Sequence, residues 1–334
     1  MAYVNGGAGN SPNTLTILGC GTLGSAILFG LLACSAEERS KKVEKGGQEA
    51  DLPNGFEHEE IQKPSRILAC VRTEQSAERL RRQLPASEHA LPVKVIRGDN
   101  VRAVQAADTV LLGCQPQDLD SCLGAPGMER ALRGKLLISI LAGVTIPQIE
   151  QVLARGETRA TAKTNGHVAT SGDGRTTSII RAMPNTASFV RASTTVITAC
   201  SIATPANLRL VDWLFTCIGT VTHITAAQFD ACTALCGSTP AFFALFIESL
   251  LDGAVALGLK RSEAQVMAAQ TMKGAATLML AGEQPDALKE KVATPGGSTI
   301  QGLLELERKA LRGVVADALI RCTAAASTLG SKQA

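Results

Sequence analysis

Apolar positions along this chain follow two rhythms: short continuous runs up to about residue 224, then long helical periods. The runs Thr14–Leu18, Ser65–Val71, Val93–Ile96, Asp108–Cys114, Lys135–Leu141 and Ser178–Met183 are each bounded by Gly, Pro, Asn or charged residues. Runs of that length, alternating with segments of helical spacing, predict parallel strands buried on both faces by helices. Thr194–Thr198 and Thr220–Ile224 are expected to close the sheet, with a helix over Pro205–Ile218 between them. Two stretches break the rhythm. Ala36–Gln62 dissolves into mixed charge and glycine, and Glu157–Thr177 is rich in Thr, Gly, Asn and Ala, so both read as flexible surface insertions.

From Ala226 onward only helical periods are found: Phe229–Leu257, Ser262–Ala281, a short helix opening at Gly297, and Arg308–Leu329. Pro240 with Gly237 predicts a bend in the first of these. Small residues such as Ala256, Gly258, Ala268, Gly274 and Ala275 permit close helix approach. Apolar faces this extensive on a lone helical layer would stay wet, which predicts a homodimer through these helices.

Two glycine-bearing turns carry the candidate chemistry. Gly19-Cys-Gly21-Thr22-Leu23-Gly24 lies between the first strand and a helix over Ser25–Ala33, the context that a dinucleotide fingerprint requires. Gly19 makes the turn, Gly21 lets a pyrophosphate approach, and Gly24 lets helix and strand pack. The second strand ends at Arg72-Thr73, where NAD enzymes usually carry an acidic residue. An arginine suits the 2′-phosphate, so NADP(H) is favoured over NAD(H). Cys114-Gln115-Pro116 and Ala142-Gly143 follow later strands, at the carboxyl edge where such sheets bind ligands. The fold class is therefore α/β. A Rossmann-type, mostly parallel domain is expected over 1–224, with insertions near 36–63 and 156–177, and an all-α dimerisation and substrate domain over 225–334.

The second turn, Pro295-Gly296-Gly297, precedes Ser298-Thr299 and the apolar spacing Ile300, Leu303, Leu304. A helix opened in this way points its first backbone N–H groups outward, where the free donors and the helix dipole both favour an anion such as a carboxylate.

Composition excludes more than it selects. At 334 residues the chain can hold two cores, and a net charge of +3 with 3% aromatic residues gives no case for nucleic acid. Ten cysteines include no C-x-x-C pair, and most sit in apolar runs, so free thiols in a reducing compartment are expected, and no metal site. The first residues lack a signal or transit pattern, and the one long apolar stretch, about Leu235–Leu251, is broken by Gly237, Pro240 and Glu248. A soluble, cytoplasmic protein with no membrane partner is expected.

Four segments carry a resemblance. Asp230-Ala-Cys-Thr-Ala-Leu-Cys-Gly-Ser238-Thr239-Pro-Ala-Phe242, Leu288-Lys-Glu-Lys-Val-Ala-Thr-Pro-Gly-Gly-Ser-Thr-Ile-Gln-Gly-Leu303, Arg181-Ala-Met-Pro-Asn185-Thr186 and Ala142-Gly-Val-Thr145 are together similar to pyrroline-5-carboxylate reductases. The resemblance runs from Thr14 to about Leu329. It implies reduction of the C=N bond of 1-pyrroline-5-carboxylate to L-proline, and dimers that often build larger rings. It also implies that Gly296, Gly297, Ser298 and Thr299, with Ser238 and Thr239, bind substrate, the Thr299 hydroxyl meeting the ring nitrogen as the catalytic contact. Gly19, Gly21, Thr22, Leu23, Gly24, Arg72, Thr73, Cys114, Gln115, Pro116, Ala142, Gly143 and Asn185 would bind the cofactor. Gln115 stands where many members have lysine, Ala226 and Ala227 where many have acidic residues, and Lys291 where many have asparagine.

A protonated cyclic imine is already an electrophile, so hydride reduction needs no strong protein acid. His58, His89, His167 and His223 accordingly fall outside every motif. The alternatives are a related imine or β-hydroxyacid reductase, and an NADP-sensing protein without catalysis. Carbonyl reducers tend to place a lysine on the long interdomain helix, and Phe229–Leu257 has none.

Overall fold

In the computed structural model, residues 13–44, 61–85, 91–162 and 176–329 are described. The chain divides into two compact units, Met1–Cys236 with Ala326–Ala334, and Gly237–Ala325.

The first unit is an eight-stranded sheet of β1 (Thr14–Leu18), β2 (Arg66–Val71), β3 (Val93–Arg97), β4 (Thr109–Leu112), β5 (Leu136–Ser139), β6 (Ser178–Met183), β7 (Ser193–Ala199) and β8 (Gly219–His223). Their order is β3-β2-β1-β4-β5-β6-β7-β8, so the chain reverses its winding between β1 and β4. All neighbours are parallel except β6 and β7. The exception follows from length: only residues 184–192 join β6 to β7, too few for a parallel crossover. Helix Pro205–Thr216 supplies such a crossover between β7 and β8, which are parallel.

Side chains alternate across this sheet. Leu15, Ile17, Ile67, Ala69, Leu111, Ile138 and Ile180 face Ile27, Leu28 and Leu31 of helix Thr22–Glu44 and Phe215 of helix Pro205–Thr216. Leu18, Leu68, Val110, Leu112, Leu137 and Ile179 face the other layer, where Leu123, Met128, Leu132, Ile149 and Val152 pack. Every strand of the central set is thus covered twice, as continuous apolar runs require.

Two expectations are corrected. The first helix does not stop near Ala33 but runs to Glu44, through charged residues read as an insertion, and Glu38 on it accepts from Lys63 at 2.9 Å and from the Trp213 indole at 3.2 Å. The helix beginning at Ile146 likewise extends past Leu153 to Ala162. Residues 45–60 and 163–175 of the predicted insertions, with His58 and His167 among them, and His89 elsewhere, lie outside the described residues.

Near Pro240, where a bend was expected, a π turn over Ala234–Ser238 lies between helices Phe229–Thr233 and Thr239–Ala256. Phe229 of the first of these is buried with Met183 and Val196 at the carboxyl end of β6.

The second unit is helical. Helices Thr239–Ala256 and Arg261–Leu280 pack together, and the latter ends in a left-handed turn at Gly282, φ +104°, with Glu283 N–H donating to the Leu278 carbonyl. Helices Pro285–Val292, Ser298–Arg308 and Leu311–Leu329 follow. Leu257, Val266, Leu280 and Ile320 are between 65% and 89% exposed on the single chain, so the apolar faces seen in the sequence are not covered within it.

Candidate active site

The winding reversal between β1 and β4 is where an open α/β sheet forms a ligand crevice. Gly19 leaves β1 with φ +86°, and a Cβ there would stand 2.6 Å from the Cys114 nitrogen, so the turn closes backbone to backbone on the exit of β4. A Cβ on Gly24 would stand 2.9 Å from the Gly19 carbonyl oxygen, which is the close helix–strand approach expected of it. Gly21 differs: nothing lies within 4 Å of its Cβ position, leaving room for a ligand to reach the backbone. The Gly19 and Cys20 amides are held by the Cys70 carbonyl at 3.2 and 2.8 Å, which pins the turn to β2. Thr22, Leu23 and Gly24 then begin the helix, so their N–H groups have no intrahelical acceptor.

A cavity of about 500 Å³ opens at this edge and collects residues from five parts of the chain. Gly19, Gly21, Arg72, Thr73, Cys114 and Gln115, six of the residues expected from the sequence to bind the cofactor, line it together. Thr22, Leu23, Gly24, Pro116, Ala142, Gly143 and Asn185 are not among its lining residues. Ala142 packs beside Met183, Val196 and Phe229, and Gly143 takes φ +70° after β5. Asn185 caps the turn Thr186–Val190 by accepting from the Ala187 amide at 2.9 Å.

The sequence reading missed Ser76, Asp99, Asn100 and Asp118, which also line the cavity. Thr73 caps helix Glu74–Gln83, its hydroxyl accepting from the Ser76 amide at 3.2 Å and donating to the Ser76 hydroxyl at 2.9 Å. That cap brings Ser76 beside Arg72, and a cap test applied to Thr73 would have found it. Arg72 contacts the Asp118 carboxylate at 3.4 Å, yet its side chain remains 82% exposed. Another unforeseen group is Arg181, 4% exposed on β6, lying over the Phe229 ring at 3.7 Å. Burial lowers its pKa to about 10, partly opposed by the Asp230 carboxylate.

In the second unit, Gly296 takes φ +68°, and a Cβ on Gly297 would stand 2.6 Å from the Thr294 hydroxyl oxygen. Gly296 thus supplies the left-handed turn ahead of helix Ser298–Arg308, and Gly297 sits close under Thr294. No side chain caps that helix, and its first turn holds no acidic residue. Its leading amides thus remain available to an external acceptor. Thr299 is half-buried, and Ser298 is exposed. Ser238 ends the π turn and Thr239 opens the next helix, both half-buried.

Over 321 residues the chain is 48% identical to a pyrroline-5-carboxylate reductase from Lophium arboricola, spanning 96% of this chain and 94% of that one. The chain belongs to the pyrroline-5-carboxylate reductase family. Residues 226–329 match the family model described as pyrroline-5-carboxylate reductase dimerisation. Residues 14–143 match that of NADP oxidoreductase, coenzyme F420-dependent. Among solved structures, the Coxiella burnetii pyrroline-5-carboxylate reductase is 26% identical with a TM-score of 0.69, covering 96% of this chain and 99% of that one. The NADP-bound Plasmodium falciparum pyrroline carboxylate reductase shares the fold at 22% identity and a TM-score of 0.68, covering 96% and 100%.

This reductase therefore converts the C=N bond of 1-pyrroline-5-carboxylate to L-proline, with NADP(H) as its cofactor, in the last step of proline biosynthesis. The helical unit serves homo-oligomerisation. That role also accounts for helix Ala226–Ala256, which is long and apolar enough to cross a membrane but falls within the dimerisation match.

Proposed function

We propose a division of the reaction between the two parts of the chain, parted near residue 224. The sheet part binds the dinucleotide, and the helical part fixes the substrate. Gly19, Gly21, Thr22, Leu23 and Gly24 take the pyrophosphate, and Arg72 with Thr73 takes the 2′-phosphate. Cys114, Gln115, Pro116, Ala142, Gly143 and Asn185 form the edge along which the nicotinamide end runs. The observation that carries this reading is the cavity itself, in which the glycine turn, the end of β2 and the exit of β4 meet at the winding reversal. Its fit to a dinucleotide rests on the open space at Gly21 beside the tightly closed Gly19.

In the helical part, the amides of Ser298 and Thr299 hold the substrate carboxylate, with Gly296 and Gly297 setting the turn, the Gly297 amide already donating to the Thr294 carbonyl at 3.0 Å, and with Ser238 and Thr239 beside the ring. The Thr299 hydroxyl meets the ring nitrogen. Bound NADPH supplies the hydride. The chain itself supplies orientation: one anchored carboxylate and one hydroxyl fix a small ring at two points, which is the entropic part of the barrier. A neutral hydroxyl also suits the change in charge, because a carboxylate at the nitrogen would stabilise the iminium more than the transition state that discharges it.

The exposed apolar faces of the helical part support a twofold dimer through these helices, on which a larger ring can be built. Ten unpaired cysteines support a cytoplasmic location, where thiols stay reduced. A crystal structure with NADP⁺ and proline tests the whole assignment. The proline carboxylate is expected on the Ser298 helix and the 2′-phosphate beside Arg72, and either group seated elsewhere would overturn that half of the reading.

A further inference from the structure

Among the described residues, Arg181 is the one charged side chain that is fully buried. Its Nε and one of its Nη atoms have no hydrogen-bond partner there, and no carboxylate of those residues pairs with it. Its neighbours in the sheet register are Ser139 on β5 and Thr198 on β7, hydroxyls that carry no charge. What it touches instead is the Phe229 ring, whose centre lies 3.7 Å from the guanidinium carbon. An aromatic face attracts a cation without cancelling its charge. The group stays protonated at neutral pH, because burial brings its pKa down only to about 10. Such a charge is expensive for the fold, since an apolar side chain of similar volume is often as stable in its place.

The place where this charge is felt follows from the packing. Phe229 is buried with Met183 and Val196, and Ala142 packs against the same cluster. Ala142 and Asn185 belong to the edge assigned above to the nicotinamide. Asn185 follows Met183 by two residues, roughly 7 Å of extended chain. The guanidinium thus lies one aromatic ring beneath that edge, with nothing of opposite charge paired to it.

We propose that Arg181 makes the dinucleotide site favour NADPH over NADP⁺: its charge, held against Phe229 under the nicotinamide edge, opposes the cationic ring of the oxidised form. This rests on the assignment of that edge. The two forms carry the same phosphates and differ at the ring, which is neutral when reduced and bears one positive charge when oxidised. The glycine turn and Arg72, assigned to the phosphates, cannot tell them apart. A buried cation can. Across roughly 10 Å, at an effective dielectric of about 20, one unit charge alters the affinity for another by about tenfold. Arg181 is therefore a specificity-determining residue and not a catalytic one. The enzyme holds the form that it consumes and releases the form that it makes.

Equilibrium titrations of the full-length enzyme with NADPH, NADP⁺ and 2′-phospho-ADP-ribose, which lacks the nicotinamide, test this on the wild type and on Arg181→Met. The wild type should bind NADP⁺ about tenfold more weakly than NADPH. Arg181→Met should tighten NADP⁺ by about 3–10-fold and leave NADPH and 2′-phospho-ADP-ribose within about twofold. An arginine that only props up Phe229 gives another result: all three ligands weaken together. That outcome overturns the proposal, and so does an unmoved ratio of the NADP⁺ and NADPH dissociation constants. Arg181→Gln serves where the methionine variant does not fold. Equal affinities for NADPH and NADP⁺ on the wild type overturn the proposal whether or not either variant folds. Crystals grown with NADP⁺ separate the two readings. A nicotinamide seated away from Ala142 and Asn185 overturns the edge assignment and the proposal with it, whereas one seated there with an unmoved ratio overturns the role of Arg181 alone.

Discussion

The Asn185 side-chain amide donates a hydrogen bond of 2.9 Å to the Cys236 carbonyl. That carbonyl is the one whose α-helical donor would be residue 240, and residue 240 is a proline without an N–H. The proline at residue 240, the π turn at Ala234–Ser238 and the asparagine after β6 are thus one arrangement. Asn185 also accepts from the Ala187 amide at 2.9 Å, and its own N–H donates to the Ser193 hydroxyl at 3.0 Å. Asn185→Ala removes a cap and leaves a half-buried carbonyl unpaired, together about 2 kcal/mol. A fall of a few degrees in unfolding midpoint, measured at fixed protein concentration, is expected. No change would mean that the π turn holds without the asparagine.

Much of this fold was legible because burial and periodicity coincide. All eight strands lie within a residue or two of their predicted runs; for the inner ones this is because a strand covered on both faces has no polar alternation to confuse it, whereas the edge strands β3 and β8 are half-buried and were legible from their β-branched residues instead. Where the pattern failed, distant partners decide. Ala36–Glu44 reads as solvated charge, but its helix is held by Arg191 pairing with Glu37 and by Lys63 and Trp213 meeting Glu38, contacts that no local window contains. Helix Pro285–Val292 was missed for another reason: it is short and charged, with no buried residue to mark a face. In the cavity, the glycines and Arg72 were legible from a local motif. Asp118 was not, because it lies in a turn after β4, 46 residues further along the chain than the Arg72 it meets.

The two fingerprint glycines should fail in different ways. Gly19→Ala sets a side chain at φ +86° and drives Cβ to 2.6 Å from backbone nitrogen, which neither partner can yield. Left-handed strain and overpacking together cost about 3 kcal/mol. Gly21→Ala meets nothing within 4 Å, so stability should stay within about 0.5 kcal/mol. Its Cβ instead occupies the space assigned to the pyrophosphate, and NADPH affinity should fall. Thermal melts paired with NADPH titration separate the two. Equal melts for both variants would contradict the closure of Gly19 on Cys114.

If Arg72 takes the 2′-phosphate as proposed, Arg72 and Asp118 together tune the dinucleotide preference. An exposed ion pair is worth about 0–1 kcal/mol, so a 2′-phosphate can take the guanidinium from Asp118 at little cost. Arg72→Ala removes charge-assisted hydrogen bonds and should weaken NADPH by about 10–100-fold while NADH changes by less than about twofold. Asp118→Asn removes the competitor and should tighten NADPH by up to about fivefold. Binding constants for both nucleotides decide this, and equal losses for NADPH and NADH in Arg72→Ala would dissociate Arg72 from the phosphate.

Thr299 carries the chemical part of the proposal. It sits in the first turn of a helix that no side chain caps, behind the left-handed turn at Gly296, so removing the Thr299 hydroxyl takes no cap from the helix. If that hydroxyl meets the ring nitrogen, Thr299→Ala loses one of two fixation points and lowers kcat/KM by one to two orders of magnitude, about 1.4–2.7 kcal/mol. NADPH affinity, set by the other part of the chain, should be kept. Thr299→Ser restores the hydroxyl and should recover most of the rate. Steady-state kinetics on 1-pyrroline-5-carboxylate, run beside NADPH titration, distinguish the outcomes. An alanine variant with full turnover would leave the helix amides as the sole substrate contact here, and a serine variant no better than alanine would assign the loss to the methyl group rather than the oxygen.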